Sequence, residues 1–324
     1  MNQRYQILYK FPAGPAAHQL MREWLPPSLE LVTLDTDERV ELFAKLAIAD
    51  FIITAKLDGE MIAAAPQLKL IQLAGVGFDG VDVAAATARR LPVAQTVEGT
   101  IIGVAEHTLL LMLALYKQLL VADAALRRGE WLVWQLRPTS YTLNGKLVGI
   151  AGFGKIGQAV ARRCQAFGAR VIYHDVARAN EAVERELGAS FVTRDELLAT
   201  ADVVSVHTPL TPATRGAFDE AAFRVMKPTA IFINTARGEV VNEAALVRAL
   251  EEKWIAGAGL DVFEQEPIRA DHPLLQLPNV VLTPHIATGT RDSIIEKTRA
   301  ACDNFLRVIN GELPINVINP QIYG

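Results

Sequence analysis

The chain has 324 residues, 51% hydrophobic and 21% charged, with a formal net charge of -4. That length suggests about two domains. The composition excludes disordered, collagen-like and coiled-coil chains, and the acidic balance gives no electrostatic reason for a nucleic-acid partner. Two cysteines, Cys164 and Cys302, cannot build a disulfide framework, which points to a reducing, cytoplasmic setting. The first 14 residues hold no apolar stretch of the signal-peptide kind. The longest clean apolar run, residues 109–115, is far below the ~20 residues a bilayer requires, so no membrane partner is expected.

In chain order, residues 5–9, 29–34, 51–54 and 70–73 read as strands separated by helical patterns. The run Phe51-Ile52-Ile53-Thr54 is continuous and β-branched, as a strand buried on both faces should be. A long helix is expected over 102–126, apolar in nearly every direction and therefore mostly buried. Residues 130–143 read as a loop. From Gly145 a second series of strands is expected at 147–151, 170–173, 203–207, 230–234, 257–261 and 280–283, with helices such as 155–167 and 242–252 between them. Six strands alternating with helices describe a doubly wound, parallel dinucleotide-binding sheet. Residues 291–309 read as one helix after that series has ended, so it returns to the first domain. The expected division is 1–100 with 289–324 as one discontinuous domain and 101–288 as the other, hinged near Thr100 and Thr288.

Gly152-Phe153-Gly154-Lys155-Ile156-Gly157 is a G-x-G-x-x-G placed where a strand gives way to a helix. Gly152 permits the tight turn, Gly154 lets the backbone approach a pyrophosphate, and Gly157 allows helix to pack on strand. The helix N-terminus adds unpaired N–H groups and a positive dipole end. Asp175, at the end of the next strand, lies near the ~20-residue spacing of the acid that binds ribose hydroxyls. A carboxylate there repels a 2′-phosphate and favours NAD over NADP. Arg178 pulls the other way, and a solvated turn is the bland alternative for Asp175.

Three further polar residues stand just beyond strand ends: Arg237, Glu266 and His285. Ligands of open parallel sheets bind beyond the carboxyl ends of the strands, so the three can share one crevice. A planar guanidinium can take the carboxylate and carbonyl oxygens of a 2-keto acid together. Histidine suits proton donation near neutral pH, and a carboxylate bonded to it fixes the ring and favours its protonated form. Taken singly, an arginine near a loop is usually a surface ion pair, a Glu-Pro usually a turn, and a histidine after Thr-Pro more often a satisfied loop residue than a catalyst; only their joint occurrence with a nucleotide fold reverses this.

Five ordered stretches then resemble the D-isomer-specific 2-hydroxyacid dehydrogenases, among them the glyoxylate/hydroxypyruvate reductases and phosphoglycerate dehydrogenases. They run from Val148 to Gly157, from Val206 to Thr214, from Met226 to Gly238, from Gly259 through Glu266-Pro267, and from Thr283 to Ala287. The resemblance covers nearly the whole chain and is strongest between Val104 and Thr288. It implies an α/β protein of two doubly wound parallel-sheet domains, a Rossmann NAD-binding domain inserted in a flavodoxin-like substrate domain. Arg237 would bind substrate, His285 act as acid/base and Glu266 support it. Gly75, Val76 and Gly77 would offer N–H groups to the substrate carboxylate, a task for which a glycine-rich turn suits close backbone approach. Lys155 and Ile156 would donate N–H to the pyrophosphate, Asp261 would hold the carboxamide, and Val104, Thr208, Thr235 and Ala236 would line the cofactor, with His207 and Pro209 on its adenine side. No metal is implied. A homodimer built through the nucleotide domain and the helix near Ile102 is. Thr100, Lys117 and His174 depart from the family's usual residues and leave hinge geometry and substrate range open.

The activity so implied is NAD-dependent interconversion of a small 2-keto acid, glyoxylate- or hydroxypyruvate-like, with its D-2-hydroxy acid. The alternatives are a formate- or phosphite-type dehydrogenase, against which Glu266 argues, and a corepressor-like NAD sensor on the same fold, which fold alone does not exclude. Several residues carry no functional expectation. Glu106 and His107 read as a polar patch on a helix face, Trp131, Trp134 and Tyr141 as packing aromatics, Cys164 as a small core residue, and His272 as a loop residue.

Overall fold

The computed structural model describes residues 4–324 apart from Pro12 and Asp37. Residues 1–3, where part of the reading of the N-terminus falls, lie outside the described residues. The chain forms two compact units, Met1–Thr100 with Thr288–Gly324, and Ile101–Ala287.

The first unit is built on β1 (Tyr5–Tyr9), β2 (Leu29–Thr33), β3 (Phe51–Thr54), β4 (Leu70–Leu73) and β5 (Val93–Ala94). All pair in parallel in the order β2-β1-β3-β4-β5, the flavodoxin-like order. Alternate residues feed opposite faces. Leu8, Ile52 and Ile71 join one apolar layer, while Ile7, Phe51 and Leu70 join the other. The helix Arg291–Ile309 covers the second layer with Ala301, Cys302 and Phe305, and Phe305 stacks on Phe51 at 4.5 Å between centroids. This packing explains why the chain comes back. β1, β3 and β4 give Ile7, Phe51, Ile53 and Leu70 to this layer, Met21 covers part of it, and the returning helix adds the rest.

The second unit contains β6 (Leu147–Ala151), β7 (Arg170–His174), β8 (Ala189–Phe191), β9 (Val203–Val206), β10 (Ile231–Asn234), β11 (Gly257–Leu260) and β12 (Val280–Leu282). The sheet order is β12-β11-β10-β9-β6-β7-β8, all parallel. Counted from β6 this is the Rossmann order with a seventh strand appended. Phe232 faces one core layer and its neighbours Ile231 and Ile233 the other.

The structure corrects five expectations. The sheet has seven strands, because the three-residue β8 is too short to show periodicity. The two-residue β5 escapes detection for the same reason. The helix expected over 102–126 is two helices, Ile101–Tyr116 and Leu119–Arg127, bent by 61°. Tertiary bonds hold the break. Gln118 adopts left-handed backbone (φ 49°), and its amide donates to Thr139 Oγ1 at 2.8 Å. Tyr141 N–H meets Tyr116 O at 2.8 Å. Nor is this segment mostly buried, since Leu110, Leu119, Leu120, Val121 and Leu126 are exposed. Finally, the expected loop 130–143 contains a helical turn, Val133–Leu136, and a tighter one, Arg137–Thr139. Among the described residues no single helix is long and apolar enough to cross a membrane.

Candidate active site

The glycine turn after β6 is shaped by what surrounds it. Gly152 has φ +92°, and a Cβ there would lie 2.7 Å from the backbone of His207 and Thr208. A Cβ on Gly157 would strike the Gly152 carbonyl. Gly154 caps the helix Lys155–Ala166 with no side chain, and the space at its Cβ position is open, so the Lys155 and Ile156 N–H groups face an uncrowded cradle.

Asp175 terminates β7 beside this cradle. Its carboxylate accepts Phe153 N–H and Val176 N–H, both at 2.6 Å. Arg178 is engaged elsewhere, in a two-point pair with Glu184 at 2.9 and 2.8 Å. At the end of β9, His207 bonds Ser205 Oγ at 2.8 Å, and burial pushes its imidazole pKa down. Thr208 Oγ1 is buried without a partner, and the Pro209 carbonyl accepts Thr214 Oγ1 at 2.7 Å. An orphaned hydroxyl behind a glycine cradle with unpaired N–H groups is what a phosphate-bearing nucleotide would complete. The donor set therefore fits a dinucleotide.

Val104 is buried in the first turn of the helix Ile101–Tyr116. Its carbonyl accepts Thr108 Oγ1 at 2.7 Å, and Thr108 Oγ1 meets Thr235 Oγ1 at 3.0 Å. Thr108 is a contributor the sequence reading passed over; a threonine inside an apolar helix was its one signal.

Arg237 follows β10. Asn234 staples its loop, donating from Nδ2 to Arg237 O (2.9 Å) and accepting Ala236 N–H on Oδ1 (3.0 Å). The guanidinium donates to Ala236 O at 2.7 Å. Gly238 lies against the backbone of Phe263, where no Cβ fits, so the Arg237 loop presses directly on the loop carrying Glu266. Glu266 accepts Phe263 N–H on Oε1 (3.1 Å) and His285 Nδ1 on Oε2 (2.7 Å). Burial pushes the Glu266 carboxyl up, but the His285 bond and charge, the Phe263 N–H and the Arg237 charge together bring it below its ordinary value. Because Glu266 occupies Nδ1, the His285 Nε2 is the ring atom left for a substrate. The side chains stay accessible, at 50% for His285 and 34% for Glu266.

His285 itself has φ +50°, a left-handed conformation uncommon outside glycine. Asp261 braces it. The Asp261 carbonyl accepts His285 N–H at 2.7 Å. Its carboxylate accepts Ile286 N–H and Ala287 N–H at 2.9 Å and the Thr283 hydroxyl at 2.6 Å. Asp261 is fully buried, and three of roughly four acceptor positions are filled. His272 also does more than expected. It caps a short turn by accepting Leu274 N–H at 3.3 Å, and its Nε2 meets Glu243 Oε2 at 3.1 Å. Glu243 and Glu264 exchange backbone N–H bonds at 2.9 and 3.0 Å, anchoring the start of the Glu266 loop.

In the first unit, the Gly75-Val76-Gly77 turn follows β4. Gly75 O accepts Thr96 N–H at 3.1 Å and Val76 O accepts the Gln95 amide. Among the described residues no acceptor takes the N–H groups of Gly75, Val76 or Gly77. No cluster of metal-ligating side chains occurs among the described residues either.

A Rossmann-ordered sheet with a glycine cradle, and with a guanidinium, a carboxylate and an imidazole at neighbouring strand ends, defines a dinucleotide-dependent oxidoreductase. The sequence pattern of the D-isomer specific 2-hydroxyacid dehydrogenase NAD binding domain matches residues 109–287. A glyoxylate reductase of Korarchaeum cryptofilum is 40% identical over 305 residues, covering 94% of this chain and 90% of that one. A solved Thermus thermophilus structure is 36% identical with a TM-score of 0.85, covering 97% and 99% of the two chains. A Granulicella formate dehydrogenase structure is 27% identical with a TM-score of 0.86, covering 97% of each. The chain belongs to the D-isomer-specific 2-hydroxyacid dehydrogenases, and it interconverts a 2-keto acid and a D-2-hydroxy acid with a nicotinamide cofactor.

Proposed function

We propose that the protein is an NAD-dependent reductase of a small 2-keto acid of the glyoxylate or hydroxypyruvate kind. The observation that carries this reading is the 2.7 Å Glu266–His285 pair, held beside Arg237 at the carboxyl edge of the sheet. The nicotinamide, when bound, supplies the hydride that reduces C2 of the keto acid. Arg237 orients the carboxylate and carbonyl of the substrate, and the unpaired N–H groups of Gly75, Val76 and Gly77 take the carboxylate. Protonated at both ring nitrogens, His285 gives the Nε2 proton to the carbonyl oxygen as it gains charge, while Glu266 holds the Nδ1–H and fixes the ring. In the opposite direction, neutral His285 accepts the hydroxyl proton.

Gly152, Gly154 and Gly157 shape the cradle that would hold the cofactor, and Lys155 and Ile156 would donate N–H groups to its pyrophosphate. Thr208 and Val104 would line it together with Thr235 and Ala236. His207 and Pro209 would serve its adenine side, and the remaining acceptor position of Asp261 would take the carboxamide. The preference for NAD rests on the Asp175 carboxylate and on the engagement of Arg178 with Glu184, which leaves that guanidinium poorly placed to attract a 2′-phosphate. A formate-type reaction is not favoured. Formate carries its own hydride and yields carbon dioxide, so it requires no proton donor paired with a carboxylate. We assign a homodimer to the exposed apolar strip of Leu110, Leu119, Leu120, Val121, Trp131 and Trp134, and a cytoplasmic location to the two free thiols.

The test is a panel of 2-keto acids with NADH and NADPH, followed by loss of the reduced nicotinamide signal. Oxidation of NADH with glyoxylate or hydroxypyruvate, at higher kcat/KM than with NADPH, is expected. Turnover of formate with NAD and of no 2-keto acid would overturn the reading.

A further inference from the structure

We propose that His107 is a positioning residue for His285, acting through Thr283 and Asp261. The inference rests on the acid/base reading of His285 given above.

The chain of contacts begins on the helix Ile101–Tyr116. His107 Nε2 lies 2.8 Å from Thr283 Oγ1, and Thr283 Oγ1 lies 2.6 Å from Asp261 Oδ1. A second, longer approach of 3.5 Å runs from His107 Nε2 to Asp261 Oδ1. The direction of each bond follows from counting protons. An ionised carboxylate only accepts, so the single Thr283 hydroxyl proton goes to Asp261. The threonine oxygen can then only accept from His107, which fixes the Nε2–H form of that ring without requiring it to be charged. The network is well shielded from water, with His107 12% and Asp261 1% exposed at their side chains. Shielding strengthens such bonds and makes an unmet partner costly.

What the network holds is the left-handed backbone at His285. Such a conformation persists in a bulky residue only where its surroundings over-determine it. Three consecutive N–H groups, of His285, Ile286 and Ala287, all end on Asp261. Thr283 orients the Asp261 carboxylate, and His107 orients Thr283. The next residue along the same helix performs a parallel task, since Thr108 bonds Thr235 at the root of the Arg237 loop. One turn of a mostly apolar helix thus ties down two of the three loops that bear catalytic side chains. The charged and titratable groups around His285 within this unit are Glu266, Asp261, Arg237 and His107 itself.

The experiment uses the full chain with NADH and glyoxylate as probe substrate. It compares His107→Leu, His107→Gln, Thr283→Val, the Leu/Val double variant and Glu266→Gln. His107→Leu should lower kcat by about 10- to 100-fold, the scale of a misplaced reacting group, with NADH affinity changed less than about threefold. It should also move the pH profile of reduction toward that of Glu266→Gln, because a loosened ring pairs less well with its carboxylate. His107→Gln, whose amide can supply the same donor, should recover most of kcat. Thr283→Val should reproduce the defect, and the double variant should be no worse than the poorer single one. A wild-type kcat and pH profile in His107→Leu would overturn the proposal. So would a pH-independent loss that His107→Gln shares, which is the mark of a purely structural residue. If His107→Leu does not fold, Thr283→Val and His107→Gln decide the matter by the same criteria. A shifted Glu266→Gln profile beside an unshifted His107→Leu profile sinks the His107 proposal alone. An unshifted Glu266→Gln profile sinks the acid/base reading and this proposal with it.

Discussion

Lys297 lies on the helix Arg291–Ile309, half-buried, with its ammonium donating to Thr288 Oγ1 at 3.1 Å and to no carboxylate among the described residues. Burial pushes its pKa from 10.5 down to about 8. The folded state therefore holds this proton less tightly than the unfolded chain does. Below pH 8 the lysine is charged in both states, and the full burden of burying the charge falls on the fold. Between pH 8 and 10.5 the folded form sheds its proton first, so stability rises. Above 10.5 the burden is gone. At about 1.36 kcal/mol per tenfold change in proton affinity, the burden is roughly 3 kcal/mol. Lys297→Met keeps an apolar stem in the same space and removes the charge, while leaving the Thr288 hydroxyl short of a donor at a cost of about 1 kcal/mol. The variant should gain roughly 2 kcal/mol in urea unfolding at pH 7 and lose that advantage by pH 10.5. No gain at pH 7, or the same gain at both pH values, would refute the reasoning.

Arg237→Ala should lower kcat/KM by at least about 100-fold, the scale of a lost electrostatic contact to reacting oxygens, while NADH binding followed by fluorescence titration stays within a few-fold. A near-normal kcat/KM would remove Arg237 from the site. Glu266→Gln should move the optimum for reduction to lower pH. The carboxyl of Glu266 sits below its ordinary value, so its support for His285 is present above the usual carboxylate range and fades only as pH falls through that lowered value; an unshifted optimum would count against the pairing. Asp175→Ala should raise the kcat/KM for NADPH relative to NADH by at least roughly tenfold, since removing a like charge facing a phosphate removes a repulsion worth several kcal/mol. Unchanged selectivity would show that Asp175 does not face the ribose.

The fold class was legible because both sheets are parallel and buried on both faces, so their strands read as short apolar runs between helices. Phe51–Thr54 and Ile231–Asn234 are such runs. The edge strands Val93–Ala94 and Ala189–Phe191 were not legible, since two or three residues carry no period and acquire their geometry from the neighbour they pair with. The bend at Gln118 was hidden for a related reason. Nothing local breaks the helix there; Thr139 and Tyr141, some twenty positions on, hold it. At the site, glycines and strand-end polar residues announced themselves by type and place. His107, Thr108 and His272 did not, because each works by bonding a residue far away in sequence, and such partners are visible only once the strands are in register.

Register also explains how Arg237, Glu266 and His285 become neighbours. β10, β11 and β12 are adjacent and parallel, with Asn234 beside Leu260 and Leu260 beside Leu282. Adjacent strands lie about 4.8 Å apart, so the three chains leave the sheet within roughly 10 Å of one another. Arg237 is three residues past one end and His285 three past another. Glu266 must travel six past Leu260, and its loop is turned back by the Gly238–Phe263 contact and by the Glu243–Glu264 exchange. The strained turn at His285 is the last piece. An extended chain after Thr283 would carry the imidazole away from Glu266, whereas the left-handed step, held by Asp261, brings Nδ1 to 2.7 Å from the carboxylate. The sheet delivers three side chains to one edge, and one buried aspartate converts that proximity into a hydrogen-bonded imidazole–carboxylate pair.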